Sequence, residues 1–179
     1  LQKSINKITN NNHPIIMATP PNTLLPYLTT QGSLTALLEV KAGQPLCVKV
    51  IKEGWQALDF QQKKSLGLPV HRPLVAWVRE VELFGDGKVG DDKGAKKGAW
   101  VRAKSIFPIE SLTGNAKRLR HLHGTPIGYV MFKKHRTLPC TRRIFCQDGQ
   151  WGRRSIYDWQ GRVLLIEEQF SHEFVAVLS

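Results

Sequence analysis

Two charged side chains stand where strand periodicity calls for apolar ones, and through them this chain could do chemistry. In the run Val75–Phe84 the odd positions are Val75, Trp77, Arg79, Val81 and Leu83, while Glu80 and Glu82 fall on the opposite, solvent-type side. Strand side chains alternate between faces, so Arg79 lies in the middle of an apolar face. In the run Val163–Phe170 the more convincing core face carries Leu164, Ile166, Glu168 and Phe170, which gives Glu168 an apolar residue's place. A carboxylate there needs a partner or a raised pKa. A guanidinium can hold a carboxylate through two parallel hydrogen bonds. Two arrangements answer these needs. One is a structural salt bridge between neighbouring strands. The other is a pocket under the sheet, in which Arg79 holds a ligand carboxylate and Glu168 faces a hydroxyl or a leaving group.

Two further features bear on an anionic ligand. Arg153 and Arg154 are adjacent and must point to opposite faces of a strand, Arg153 together with Trp151, Ser155, Tyr157 and Trp159. One of them could supply a second anion contact. The plainer expectation is a solvated pair packed on the tryptophans. Thr125-Pro126 reads as a helix start, with Thr as N-cap and Pro in the first helical position. The amides of Ile127 and Gly128 would then be unpaired, as an anion or polar-ligand site or as a solvated helix end. No metal centre is expected. His121 and His123 are two apart near a helix end, with no acidic residue at ligand spacing, and His135 and His172 have no evident chain partner. Neither a nucleophile elbow nor a Cys/His dyad can be argued.

The elements that must position these residues follow from pattern. Residues 1–22 read as a mobile tail, and Met17 could be the native start. Residues 23–179 read as one domain. Thr23–Leu28 is a short apolar segment broken by Pro26. Ser33 caps a helix over residues 34–41, closed by Gly43. A strand over 46–51 precedes a loop with some helical character over 54–73. Strand 75–84 and a strand over 100–107 should pair antiparallel around residues 85–98. That stretch holds five Gly, three Asp and four Lys and reads as a flexible hairpin loop. Residues 111–123 read as a helix with Leu112, Ala116, Leu119 and Leu122 inward. A strand over 142–147 turns at Asp148-Gly149 into Trp151, and the last strands turn at Gln160-Gly161. Hairpins imply antiparallel pairing, so the expected class is α+β with one main sheet.

Composition narrows the function. At 179 residues and 41% hydrophobic the chain can bury a real core. It has no apolar run near the roughly 18 residues that span a membrane. Cys47, Cys140 and Cys146 form no metal or redox spacing, which suggests reduced, buried thiols and a cytoplasmic home. The net charge of +12 favours an anionic partner. Small basic clusters at Lys117-Arg118, Lys133-Lys134 and Arg153-Arg154 come without an RNA-recognition signature, a zinc finger or an evident helix-turn-helix, so no nucleic-acid partner is expected. With no coiled-coil seam or spare apolar helix, a monomer is expected.

In order, the pieces Trp77-Val-Arg79-Glu, Pro108-x-x-Ser111-Leu-Thr-Gly, Gly124-Thr-Pro-Ile-Gly128, Trp151-Gly-Arg-Arg-Ser155 and Leu164-Leu-Ile-x-Glu168-x-Phe resemble the chorismate lyases. The resemblance spans roughly residues 25 to 170 and covers both misplaced charges. It implies one antiparallel sheet, with helices that flap over an internal site. It implies conversion of chorismate to 4-hydroxybenzoate and pyruvate, the entry into bacterial ubiquinone synthesis, without metal or cofactor. By the same resemblance Arg79 and Glu168 match the family's ligand-binding arginine and its glutamate, and Leu34 and Ile127 match two main-chain contacts. Gly128 and Arg153 are further candidates for the site. The chain departs from the pattern in a longer loop at 85–98, an extended N-terminus, and Leu34 where a methionine can occur. A competing class is a non-enzymatic effector-binding domain of the same fold that holds an aromatic carboxylate. A third, a basic nucleic-acid binder, would show affinity that falls steeply with salt.

Overall fold

The alternating runs become six strands of one antiparallel sheet in the order β1-β2-β3-β6-β5-β4. The computed structural model describes residues 19–86, 98–133 and 137–179. In chain order the elements are α1 (Leu25–Thr29), α2 (Leu34–Ala42), β1 (Cys47–Ala57), α3 (Phe60–Ser65), β2 (Val75–Phe84) and β3 (Val101–Pro108). Two 3-10 segments follow (Ile109–Ser111 and Gly114–His121), then α4 (Ile127–Met131), β4 (Cys140–Gln147), β5 (Gln150–Asp158), β6 (Val163–Phe170) and α5 (His172–Leu178). Met17, His135, Lys134, most of the expected tail and most of the loop at 85–98 lie outside the described residues.

Hairpin chemistry sets the register on the site side of the sheet. Asp148 and Gly149 both have positive φ (52° and 75°), as do Gln160 and Gly161 (57° and 74°). Two consecutive left-handed residues match the twist of antiparallel strands, and the glycine takes one of the two positions at no steric cost. The second turn brings Arg153 directly opposite Glu168.

Several expected boundaries shift. β1 does not stop at Ile51. It bulges between Val50 and Lys52 and continues to Ala57, paired with β2 throughout. A bulge displaces the alternation by one residue, so the pattern reads as ending there. Pro26 does not break its segment. It sits in the first turn of α1, where its missing N–H leaves no bond unmade. Residues 111–123 form 3-10 turns rather than an α-helix, although Leu112, Ala116, Leu119 and Leu122 are all buried as expected. Thr125 is not an N-cap: Pro126 occupies that position, without a side-chain bond. The chain also forms α5, which the sequence pattern did not show. Ser171 caps it by accepting from the Phe174 amide, and Phe174 is fully buried.

Two apolar clusters cover the inner face of the sheet. One packs the 3-10 segments and α4 on Phe107, Tyr157, Leu164 and Ile166. The other packs α1, α2 and α5 on Val81, Leu83, Val101 and Phe170. Between them runs a buried polar band of Arg79, Ser105, Glu168, Arg153 and Ser155. The cysteines are not buried as expected: Cys47 and Cys140 are half-buried, Cys146 is exposed, and all three are free thiols. Cys140 and Cys146 lie on one strand, about 20 Å apart along it at the usual rise, too far to bridge.

Candidate functional site

The polar band consists of two adjacent rows across the sheet. One row reads Arg79 (β2), Ser105 (β3), Ile166 (β6), Ser155 (β5) and Arg142 (β4). The next reads Val81, Ala103, Glu168, Arg153 and Ile144. Arg79 and Glu168 are therefore not on neighbouring strands, and no salt bridge joins them. The intervening strand β3 contributes Ala103 and Ser105, whose small side chains leave space between the two charges. That space is a cavity of about 20 Å³ lined by Leu34, Arg79, Ala103, Ser105, Ile127, Ile166 and Glu168, among others.

Arg79 is 1% exposed. Its Nη2 donates to the carbonyls of His123 (2.5 Å) and Thr125 (3.3 Å), which ties it to the chain entering α4. Among the described residues its Nε has no hydrogen-bond partner, although it forms an ion pair with Glu53 Oε2 at 3.6 Å. Burial lowers the Arg79 pKa from the ordinary arginine value and Glu53 offsets part of that. A guanidinium this basic remains a cation. A buried cation with an unused donor, facing a cavity, is the electrostatic requirement for seating a carboxylate.

Glu168 has its own partner. Arg153 Nε donates to Glu168 Oε2 at 2.5 Å, both side chains being almost wholly buried. Burial alone would lower the Arg153 pKa, but the charge and hydrogen bond of Glu168, aided by Tyr157 and Cys140, raise it overall. The expectation of a solvated Arg153-Arg154 pair holds only for Arg154, which bonds Glu167 on the outer face. Arg153 is 1% exposed and does not line the cavity, since its Nε is engaged by Glu168. The inward stacking of a strand residue beside Trp151, Ser155 and Tyr157 puts it there.

Leu34 and Ile127, read from the family resemblance as main-chain contacts, are the first residues of α2 and α4. First-turn amides have no intrahelical acceptor. The two helices meet over the cavity. Gly128 is buried there, and a Cβ on it would come within 2.6 Å of Thr35 Oγ1 and 2.7 Å of Ser33 Oγ. Gly128 thus sets the approach of the helices rather than lining the cavity. Tyr129 donates to the Glu39 carboxylate across the same contact, a bond that raises the Tyr129 pKa to about 12.

Two polar residues of this region escaped the sequence reading. Glu53 faces Arg79 in the β1–β2 register but lay beyond the expected strand end. Arg142 on β4 donates to the Tyr157 hydroxyl at 3.1 Å, and it is the pairing of Arg142 with Ser155 across β4 and β5, which alternation along one strand does not give, that places it inward. A larger groove of about 330 Å³ on the outer face of the sheet is lined by Glu80, Glu82, Arg102, Lys104 and Glu167. Its cations are already paired, Arg102 with Glu82 at 3.2 Å and Lys104 with Glu80 at 3.1 Å, so it offers no free seat for an anion. Among the described residues no group of three or more His, Cys, Asp or Glu could hold a metal ion.

The profile of the chorismate lyase family matches residues 8–174. The chain is 49% identical over 158 residues to a probable chorismate pyruvate-lyase of Psychrobacter cryohalolentis, covering 87% of this chain and 89% of that one. It is 36% identical to the corresponding Acinetobacter baumannii protein over 85% of this chain and 83% of that one. With the Escherichia coli chorismate pyruvate-lyase the identity is 28%, over 82% and 81%. Among solved structures, PhnF from Mycobacterium smegmatis superposes with a TM-score of 0.51 at 12% identity, over 80% of this chain and 65% of that one. At that identity the likeness concerns the fold alone.

Proposed function

The chain belongs to the chorismate lyase family, and from that premise we propose how its buried polar band carries out the reaction. The protein is a lyase that converts chorismate to 4-hydroxybenzoate and pyruvate. One observation supports the site assignment above others: the buried Arg79, its Nε without a hydrogen-bond partner among the described residues, faces the same cavity as Glu168.

In this reading Arg79 holds the ring carboxylate. Leu34 and Ile127 close over the ring from the first turns of α2 and α4. Glu168, at the far end, accepts a hydrogen bond from the 4-hydroxyl. The ether bond breaks with its electrons on the enolpyruvyl oxygen, the hydrogen on the hydroxyl-bearing carbon passes as a proton to that departing enolpyruvate while its C–H electron pair completes the ring, and the enol tautomerises to pyruvate. The ring becomes aromatic, so much of the driving force belongs to the substrate. The protein's part is to orient the ether and exclude water. A carboxylate bonded to Arg153 is an acceptor rather than a proton donor, which suits Glu168 for positioning. The net charge of +12 steers a doubly charged substrate inward.

We also take the protein to act as a monomer in the cytoplasm. Three free thiols fit a reducing compartment, and among the described residues no helix is long and apolar enough to cross a membrane.

The test is incubation of purified protein with chorismate, with 4-hydroxybenzoate and pyruvate quantified together. Equal amounts of both, lost in Arg79→Ala, are expected. Tight binding of 4-hydroxybenzoate without turnover would mark a sensor of aromatic carboxylates instead.

A further inference from the structure

The second charged cluster of the inner face lies behind Glu168, away from the cavity. Arg153 reaches Glu168 through Nε at 2.5 Å, while its Nη1 donates to the carbonyls of Tyr27 (2.9 Å) and Thr30 (3.2 Å). Arg142, one strand further, donates to the same Thr30 carbonyl, to Ser155 Oγ at 2.8 Å and to the Tyr157 hydroxyl at 3.1 Å. Two arginines thus grip the end of α1, and one of them grips Glu168. Neither lines the cavity.

An arrangement this deep is not needed to bind an anion. Arg79 already lines the cavity with its charge, whereas Arg153 does not line it. What the cluster supplies is a fixed charge and a fixed direction for one carboxylate. A buried carboxylate without a counter-charge takes up a proton near neutrality instead of paying the cost of desolvation. Protonated, Glu168 would carry an O–H donor, lose its charge and keep only part of its acceptor capacity, so it would hold a substrate hydroxyl more weakly and in a less defined direction.

We propose that Arg153 is a positioning residue of the lyase reaction: it keeps Glu168 ionised and aimed, and Arg142 locks Arg153 to the α1 end through the shared Thr30 carbonyl. The proposal rests on the lyase reading above. The charged and titratable groups around Glu168 are few. Arg153 and Tyr157 come from β5, with Arg142 and Cys140 behind them on β4 and Arg79 across the cavity on β2. The neighbours from β3, α2 and α4 that line the cavity (Ala103, Ser105, Leu34, Thr35, Pro126 and Ile127) carry no charge. Arg153 is thus the one cation that bonds Glu168 among the described residues.

The experiment is the pH profile of kcat with chorismate for the wild type, Arg153→Gln and Arg142→Gln, together with the titration of Glu168 in the unliganded proteins by carboxyl NMR. In Arg153→Gln the buried Glu168 carboxyl loses the cation bonded to it at 2.5 Å, which favours its protonated form. The active form is the carboxylate, so kcat falls as the pH drops and recovers at higher pH. A new acid limb near neutrality, at least tenfold lower kcat on its acid side and little change in KM is the expected result. Arg142→Gln, which leaves the Glu168 partner in place, should show the same limb in weaker form. It also provides the reading if Arg153→Gln does not fold. Exogenous guanidinium should restore part of the lost rate in a folded Arg153→Ala protein. A uniform fall in kcat with no new limb, or a Glu168 titration unchanged by both substitutions, would overturn the proposal and leave Arg153 a structural residue. A wild type inactive on chorismate would overturn the lyase reading. The NMR titration would still decide whether Arg153 holds Glu168 ionised.

Discussion

In the proposed reading, replacing Arg79 by Gln removes the charge that seats the ligand carboxylate while keeping a polar side chain of moderate length. Truncating one member of a buried, hydrogen-bonded charge pair costs about 2–5 kcal/mol. Two local features place the expected loss inside that range. Arg79 is only 1% exposed, so water does not screen its charge. Glu53 at 3.6 Å with a 29% exposed side chain already offsets part of the charge, and the His123 and Thr125 carbonyls occupy Nη2. We therefore expect about 3 kcal/mol, which is on the order of 100-fold in the affinity for 4-hydroxybenzoate. Titration calorimetry measures it directly. The control ligand is 4-hydroxybenzamide, which has the ring and hydroxyl but no anionic group, and its affinity should change by less than about fivefold, within about 1 kcal/mol. The two carbonyls left short of a donor also lower stability, by about 1–3 kcal/mol, so thermal unfolding must be followed alongside. Equal losses for acid and amide would mean that Arg79 shapes the cavity rather than seating the carboxylate. Unchanged affinity for the acid would refute the assignment outright.

Other substitutions test the frame around the site. Gly152 sits on β5 where a Cβ would come within 2.4 Å of the Phe145 ring and 2.8 Å of the Glu168 carbonyl oxygen. Gly152→Ala should cost about 1–3 kcal/mol and lower kcat as well, because the strain is applied to the main chain of Glu168; normal melting and normal kcat would contradict the close approach. Phe174→Ala empties a fully buried site stacked on Phe170 and should cost about 3–5 kcal/mol, read by denaturant unfolding. A loss under about 1 kcal/mol would mean α5 is not docked on the sheet. All three tyrosines hold their protons past the ordinary value of 10.0. Burial raises Tyr27, burial and then Glu168 raise Tyr157, and the Glu39 hydrogen bond raises Tyr129 to about 12. The neutral phenols are the stabilised forms, so whatever they add to stability is present below pH 10 and fades as pH climbs above it. Ultraviolet titration should find each tyrosine more than half protonated at pH 10, with the last step absent in Tyr129→Phe. A tyrosine half-ionised at or below pH 10 would contradict this.

The inner face of the sheet could be read in the sequence because strand alternation is a local signal. Arg79 and Glu168 announced themselves by interrupting it, and the structure buries both. The Asp148-Gly149 and Gln160-Gly161 turns fixed the pairing that sets Arg153 against Glu168. Alternation says which face a residue takes but not which strands are neighbours. Arg79 and Glu168 were thus open to being read as a bridged pair, whereas β3 separates them. Glu53 was hidden by the bulge at Val50 and Lys52, which shifts the phase of β1. The 3-10 segments kept their inward leucines because i, i+3 spacing serves both helix types over one or two turns. The burial of Arg153 was obscured by composition, since two adjacent arginines beside tryptophans resemble a solvated pair until the partner strand is known.

The division of labour between sheet and helices follows from the size of the cavity. At about 20 Å³ it holds about one water molecule, whereas pockets that take small organic ligands run to roughly 300–1,000 Å³. Admitting a substituted ring therefore requires something to move. The polar rows cannot be that element: Arg79, Glu168 and Arg153 stand on central strands paired along both edges, and each is bonded beyond its own strand. The contact between α2 and α4 is the softer one. It depends on the close fit of Gly128 against Ser33 and Thr35 and on the half-exposed Tyr129–Glu39 hydrogen bond, and α4 has only five residues. In the proposed reading, orientation thus belongs to the strands and admission to the helix starts that carry Leu34 and Ile127. Changes in the rows should alter the rate of the chemical step at a given occupancy. Changes in the α2–α4 contact should alter the rates at which chorismate enters and 4-hydroxybenzoate leaves, with the single-turnover rate of the chemistry preserved.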